Sequence, residues 1–246
     1  MGKTRSRLRR WHVWLGWIVA LPILLWTLSG LVMVARPIEE VRGTHLVHTT
    51  APITLDAPPV VPRIEGLSVS HVMLEPRAAG PRWVVTLSNG KTRLADPRSG
   101  AWLPPLSAAD AAAEFAALYT GNSPIKSVTR TDPDRPPLEL RHDVATWKVA
   151  LEDGTNFYID ANSGTLHAKR TRWWRIYDWM WGLHIMDLKT REDTHNPLVI
   201  GFGIAALVMS FLALALLPMT INRRRRGRLL ATGTAPPGGQ ESRDRP

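Results

Sequence analysis

The 246 residues contain no cysteine. That excludes disulfides, thiolate metal sites and cysteine nucleophiles. The patterns H-E-x-x-H and G-x-S-x-G and the glycine-rich phosphate loop are also missing, which removes the usual signatures of zinc proteases, serine hydrolases and nucleotide-binding enzymes. Formal charge is absent from one long stretch, residues 11–35, and no acid stands among the ten residues before it. At ~1.5 Å per residue such a run exceeds the ~20 positions needed to cross a bilayer.

A second uncharged run covers residues 198–217, with Asn196 placed to cap it and Pro197 suited to its first position. Lys3, Arg5, Arg7, Arg9 and Arg10 precede the first run, and Arg223, Arg224, Arg225, Arg226 and Arg228 follow the second. Basic flanks stay on the cytoplasmic side, so both termini are expected there and the middle of the chain outside, in the periplasm of a bacterial inner membrane. Those ten residues leave 31 − 10 = 21 Lys and Arg against 21 Asp and Glu, so the formal charge of +10 sits entirely beside the membrane. Basic residues there meet anionic lipid, and no nucleic-acid partner is expected. A cleaved signal peptide is the competing reading of residues 11–35. Its apolar core would be shorter, and Met33 with Ala35 make a poor small-x-small site, so an uncleaved anchor is expected.

Residues 36–62, rich in Pro, Thr and Val, read as an extended tether with no packed element. Beyond it, residues 83–100 (WVVTLSNGKTRLADPRSG) align without a gap to residues 147–164 (WKVALEDGTNFYIDANSG), at an offset of 147 − 83 = 64. Trp83, Val85 and Leu87, like Trp147, Val149 and Leu151, alternate as one face of a strand does. Asn89-Gly90 and Asp153-Gly154 are hairpin-turn dipeptides, and Asp96 and Asp160 each open a second turn. Residues 107–119 (SAADAAAEFAALY) predict a helix capped by Ser107 and Asp110, ended by Gly121 and Pro124. Strands are expected near residues 125–130 and 138–142. The matching helix of the first copy belongs near residues 43–55, where GTHLVHTTAPITL does not look helical, so the first copy reads as degraded or built differently.

On these residues the chain resembles the PepSY family, whose small helix-on-sheet modules carry the pattern W-x-V-x-L-x-D-G-x-x-x-x-x-D-x-x-S-G. RRWHVWLGWIVALPILLWTLSGLVM, with its His and late Ser-Gly, and WGLHIMD followed by HNPL and a span, resemble PepSY-associated membrane segments. The expected fold is an α+β membrane protein: two transmembrane helices flanking a tandem PepSY-like domain, helix on antiparallel sheet, outside the cytoplasm. Its parts are a basic N-terminus (1–10), the first span (11–35), the tether (36–62), a degenerate PepSY-like unit (63–106), a second unit (107–171), a Trp-rich interfacial helix and loop (172–195), the second span (196–219) and a basic, disordered tail (220–246).

His12 and His184 are the candidate cofactor residues. The resemblance implies haem b for them, because larger relatives bind haem through membrane histidines and reduce ferric siderophores for iron uptake, and His is a good axial ligand. His12 belongs to the cytoplasmic end of the first span and His184 precedes the second on the far side, roughly 30 Å of hydrocarbon away. One haem cannot bridge them and would need a partner from another chain, a second histidine such as His195, or a different ligand. Asp96 and Asp160, in equivalent turns, read as structural rather than as a catalytic pair, and neither a catalytic residue nor a metal site is assigned. Trp173, Trp174, Trp179 and Trp181 suit a membrane interface. Two readings follow. The first is a non-enzymatic membrane-anchored module, needing no cofactor, that binds a periplasmic or membrane protein partner through a sheet edge, alone or as a homo-oligomer. The alternative is a haem-containing redox component.

Overall fold

The structure, a computed structural model, describes residues 2–48 and 52–232. The chain begins with helix α1 (Gly2–Val34) and ends its described part with α5 (Pro197–Thr232). Within them Thr4–Val34 and Pro197–Pro218 are long and apolar enough to cross a membrane, with mean hydropathy 2.2 and 2.5. Only 11% and 0% of the most apolar stretches are buried, so protein does not cover these helices as it covers the core helices of soluble folds. Both extend past the expected spans. α1 starts at Gly2 because Lys, Arg and Leu are good helix formers and neither Gly nor Pro interrupts residues 3–15. α5 continues through the arginines, so the tail expected to be disordered from 220 is helical as far as Thr232, and the rest of it lies outside the described residues. Asn196 Oδ1 accepts from the backbone N–H groups of Leu198 and Val199, both at 3.1 Å, as the capping argument requires.

Two compact units divide the chain: Met1–Ser29, Leu183–Leu188 and Glu192–Pro246 form one, Gly30–Gly182 and Lys189–Arg191 the other. The second holds the sheets. One has antiparallel order β1-β2-β3 (Val69–Glu75, Arg82–Leu87, Thr92–Ala95), the other β4-β5-β6-β7 (Ile125–Arg130, Thr146–Leu151, Asn156–Asp160, Leu166–Arg170). Residues 138–142, expected as a strand, form a turn in which Leu140 is wholly buried and Arg141 has φ 60°.

The two sheets share one hydrogen-bond pattern. β2 and β5 coincide at the offset of 64, and the bridge of Ala95 with Trp102 repeats as the pair Ile159 with Leu166. In each hairpin a residue in left-handed backbone, Gly90 (φ 79°) or Gly154 (φ 85°), follows a turn closed at Leu87 or Leu151. This is a three-residue loop, not the two-residue turn that the dipeptides suggest, because Asn89 and Asp153 stay at negative φ. β1 and β4 agree in register too, but at an offset of 56: Leu74 faces Trp83 as Arg130 faces Trp147, and both strands carry a bulge after their first residue. The missing 64 − 56 = 8 residues are the longer β4–β5 connection, which a gapless alignment cannot show.

Further upstream, Val60 and Leu106 are equivalent. Each donates its N–H to the residue after a turn aspartate, Pro97 or Ala161, at 2.7 Å, and each carbonyl accepts an indole N–H, from Trp83 at 2.8 Å or Trp147 at 2.9 Å. Between Leu106 and Ile125 lies helix α3 (Ala108–Leu118), whose capping box joins Ser107 and Asp110 as expected. Between Val60 and Val69 only residues 61–68 remain, too few for an 11-residue helix plus its connections. Residues 61–68 therefore hold no counterpart of α3.

α3 serves both sheets. One core contains Val149, Leu151, Phe157 and Ile159 from the second sheet, Phe115 from α3, and Val84 with Leu94 from the first. β5 thus buries its alternating Trp-Val-Leu face as expected, whereas β2 gives this core the opposite face through Val84 and also buries Val85 completely. The tether is packed, contrary to the expectation. Ile38–Val41 forms a short helix, α2, and Thr44–Leu46 a 3-10 turn; Val41 is buried, Val47 bridges Tyr119, and His48 N–H donates to Leu118 O at 3.1 Å. Apolar Ile38, Val41, Leu46 and Val47 outweigh the extended tendency of the prolines beyond them.

Candidate functional site

His184 ends helix α4 (Arg172–His184), and its imidazole stacks on Trp26 of α1 with ring centroids 4.5 Å apart. Nδ1 lies 3.1 Å from Ser29 Oγ and 3.2 Å from the Trp26 carbonyl oxygen, while Ser29 Oγ itself donates to that carbonyl at 2.9 Å. A carbonyl only accepts and the Ser29 proton is already committed, so Nδ1 carries the imidazole hydrogen. Nε2 is then the nitrogen with the lone pair, the form in which His binds a metal. Ser29 is 1% exposed, a polar residue in an apolar helix spent on orienting this ring.

His12 stands 17 residues before Ser29 on the same continuous helix, about 25 Å along its axis. The structure does not bring it to His184. Its Nδ1 is buried and has no hydrogen-bond partner among the described residues. His195 is exposed, with Nδ1 3.3 Å from Thr194 Oγ1. Among the described residues no three His, Asp or Glu side chains are grouped to hold a metal ion. The structure thus offers one oriented imidazole at His184, with neither His12 nor a metal-binding group of side chains beside it among the described residues.

α4 also carries a polar anchor that the sequence reading missed. Asp178, 5% exposed, is held by Arg141 and Arg191 at its two oxygens. Both arginines have left-handed backbone, φ 60° and 59°, which non-glycine residues adopt only where surrounding contacts over-determine it. One turn nearer the start of α4, Arg175 donates to Glu139 at 2.8 Å, and Glu139 Oε1 also accepts from Tyr158 Oη at 2.6 Å and Asn156 Nδ2 at 2.5 Å. Burial works to raise the Glu139 carboxyl, but the bonds from Arg175, Tyr158 and Asn156 hold it below its ordinary value. Glu139 lies in the connection that is eight residues longer than its counterpart, and Leu140 beside it packs with Tyr158 and Ala168 on the sheet face opposite α3. The residues expected to form a surface helix are thus anchored to the second sheet. The only signal for this was the charge of LELRHD in a sequence otherwise read as a strand.

Asp160 caps its turn through the N–H groups of Asn162 (2.8 Å) and Ser163 (2.7 Å), and also meets Thr92 Oγ1 at 3.2 Å and His167 Nε2 at 3.0 Å. Burial opposes its charge, yet His167 and the two amides hold its carboxyl low. Asp96 keeps the equivalent amide bond, to Arg98 at 2.7 Å. Different surroundings of two equivalent turns fit structural roles.

Among the open sheet edges β4 is largely exposed and carries Lys126 and Arg130. β1 (VSHVMLE) has neither Lys, Arg nor Pro, and its Met73 is 54% exposed. No curated protein and no solved structure matches the chain. The PepSY-associated TM region matches it over residues 1–223, which take in both apolar helices, the Ser29–His184 contact and both sheets, and the chain belongs to that family.

Proposed function

We propose that this membrane-associated PepSY protein is a non-enzymatic binding module: two helices anchor it in the inner membrane, and its extracytoplasmic sheets, a tandem pair of PepSY-like units, engage an extended segment of a protein partner along β1. The observation that carries this reading is the contrast between edges. Natural edge strands are blunted with Lys, Pro or inward charge. Both strands carry a bulge, but β4 adds Lys126 and Arg130, whereas β1 has neither Lys nor Pro. An added strand would bond to the β1 backbone and rest its side chains beside Met73. A photo-cross-linking residue placed at Met73 should give a discrete adduct in cells, abolished by Val72→Pro, while one at Thr129 on β4 gives none. Adducts of equal yield from both strands, or none from either, would remove the reading.

A second reading, a haem-containing redox component, is favoured by the orientation of His184 alone. Nε2 would be its ligand atom, with Ser29 and the Trp26 carbonyl fixing the ring, and bound haem would supply one-electron transfer. Detergent-solubilised chain expressed with ample haem should then show a Soret band that shifts in His184→Ala. A colourless protein sinks it.

A further inference from the structure

A cleft of about 240 Å³ opens just beyond the first apolar helix, lined by Arg42, Arg141, Trp174, Tyr177, Asp178 and Trp181 together with Ile38 and Val41. Its position is set by covalent connection. α1 ends at Val34, and the first lining residue, Ile38, follows four positions later. Four residues cover between ~6 Å as helix and ~14 Å extended. The polar layer on each side of a bilayer core is about 5–8 Å thick, so with α1 spanning the core Ile38 comes within reach of the lipid headgroups. Trp and Tyr are the residues that settle at this depth.

The polar groups of the cleft are of two kinds. Arg141 and Asp178 are already engaged, since Asp178 is shared between Arg141 and Arg191. Arg42 is exposed and forms no ion pair or side-chain hydrogen bond among the described residues, nor does the Tyr177 hydroxyl form one. An uncommitted guanidinium beside an uncommitted phenol is a donor pair for phosphate oxygens, and Arg binds phosphate with a planar fork that Lys lacks. An amine-bearing headgroup fits poorly. The carboxylate that would receive its ammonium is occupied by two arginines, and Arg170 already lies over the Trp174 ring at 4.2 Å.

We propose that this cleft seats the phosphate of an anionic, amine-free glycerophospholipid headgroup, held by Arg42 and Tyr177 against a wall of Trp174 and Trp181. The Asp178 anchor fixes α4 beforehand, so little ordering accompanies binding. The proposal rests on α1 crossing the membrane and is independent of what binds β1.

The test is native mass spectrometry of the full chain in detergent, titrated with phosphatidylglycerol, phosphatidylcholine or inorganic phosphate. Wild-type chain should retain phosphatidylglycerol in preference to phosphatidylcholine. Loss of one charged hydrogen-bonding group in Arg42→Ala should weaken that retention about tenfold. Arg42→Lys should recover part of it, and Arg98→Ala, in the exposed turn after β3, should change nothing. Equal retention by wild type and Arg42→Ala, or equal retention of the two lipids by wild type, would overturn the assignment. So would displacement of phosphatidylglycerol by inorganic phosphate, which would identify a free-anion site.

Discussion

At the residue scale the most consequential side chain is Asp178, because it neutralises two arginines whose backbones are both left-handed. A left-handed residue other than glycine costs roughly 1–2 kcal/mol, and that cost is sustained here by two charge-assisted bonds to one buried carboxylate. Asp178→Ala leaves two guanidiniums without their acid and removes what holds both conformations. Breaking a buried pair by deleting one partner costs about 3–5 kcal/mol, and the partial exposure of the arginines places the expectation at the lower end. Thermal unfolding of the full chain in detergent should therefore show a midpoint lowered by several degrees, with Asp178→Asn falling between the variant and wild type. A midpoint unchanged in Asp178→Ala would mean that the anchor contributes nothing net to stability. Glu114, on α3, presents the opposite case. Burial raises its carboxyl despite the bond from Ala78 N–H and the nearby Arg77 and Arg82. Its charged form is disfavoured in the folded state, so stability falls as pH rises through the raised value. Glu114→Gln keeps an acceptor for Ala78 without that charge, and should leave the midpoint at neutral pH unchanged or higher.

At the scale of elements, one helix supports two sheets. Phe115 stacks on Tyr119 at 4.7 Å and meets Phe157 edge-on at 4.9 Å, in the same core as Val84 and Leu94 of the helix-less first sheet. Phe→Ala in a core costs about 3–5 kcal/mol. Phe115→Ala should consequently lower the unfolding of both sheets in a single transition, read by amide hydrogen exchange at β2 and β5 together. Loss of protection at β5 with β2 unaffected would show two independent cores. This dependence also explains what the sequence revealed. The hairpins, the Ser107 cap, the Asn196 cap and the apolar helices were legible because each is written in residues within about ten positions of one another. That the first sheet lacks a helix of its own was half legible: residues 43–55 did look non-helical, but only the shared bonding of Val60 and Leu106 shows that residues 61–68 stand where α3 stands in the second sheet. β1 and β7 went unread because they lie outside the aligned segments 83–100 and 147–164, and the eight-residue difference between the β1–β2 and β4–β5 connections stops a gapless alignment from reaching β1. The Glu139 and Asp178 anchors were illegible for a different reason: their partners lie 13 to 37 positions away, and no local period records such a pairing. Ser29 stood out as a polar residue in an apolar run, and His184 was selected beforehand; that the two meet is a property of the fold.

For the whole molecule, the charge distribution separates two kinds of electrostatics. The excess of basic residues lies in the sequence segments that flank the two apolar helices. The sheets and α4 have a formally balanced complement of charge, and their electrostatic stability is held in a few buried carboxylates. Glu139 and Asp160 both lie below their ordinary values when folded. Such a group binds fewer protons folded than unfolded, so its contribution is fully present above the ordinary carboxylate value near ~4 and is lost as pH falls through the folded value. Glu114, shifted the other way, contributes a loss as pH rises through its raised value. Through Glu139 and Asp160 stability declines under acid, with the second sheet and α4 affected because Glu139 joins Tyr158 of β6 to Arg175 of α4. In unfolding series from neutral pH to about pH 3, monitored by the fluorescence of the α4 tryptophans, wild type should lose stability mainly below ~4. Glu139→Gln should start lower, because Arg175 loses its acid, and then follow a flatter course. Parallel pH courses for wild type and variant would assign the acid sensitivity to other groups. At neutral pH the same substitution should loosen the start of α4 on the second sheet without releasing it, because the bond of Arg175 to Gly154 O and the Asp178 anchor remain. If β1 alone forms the binding edge, the photo-adduct at Met73 should persist in that variant, which separates the stability of the outer unit from its interaction with a partner.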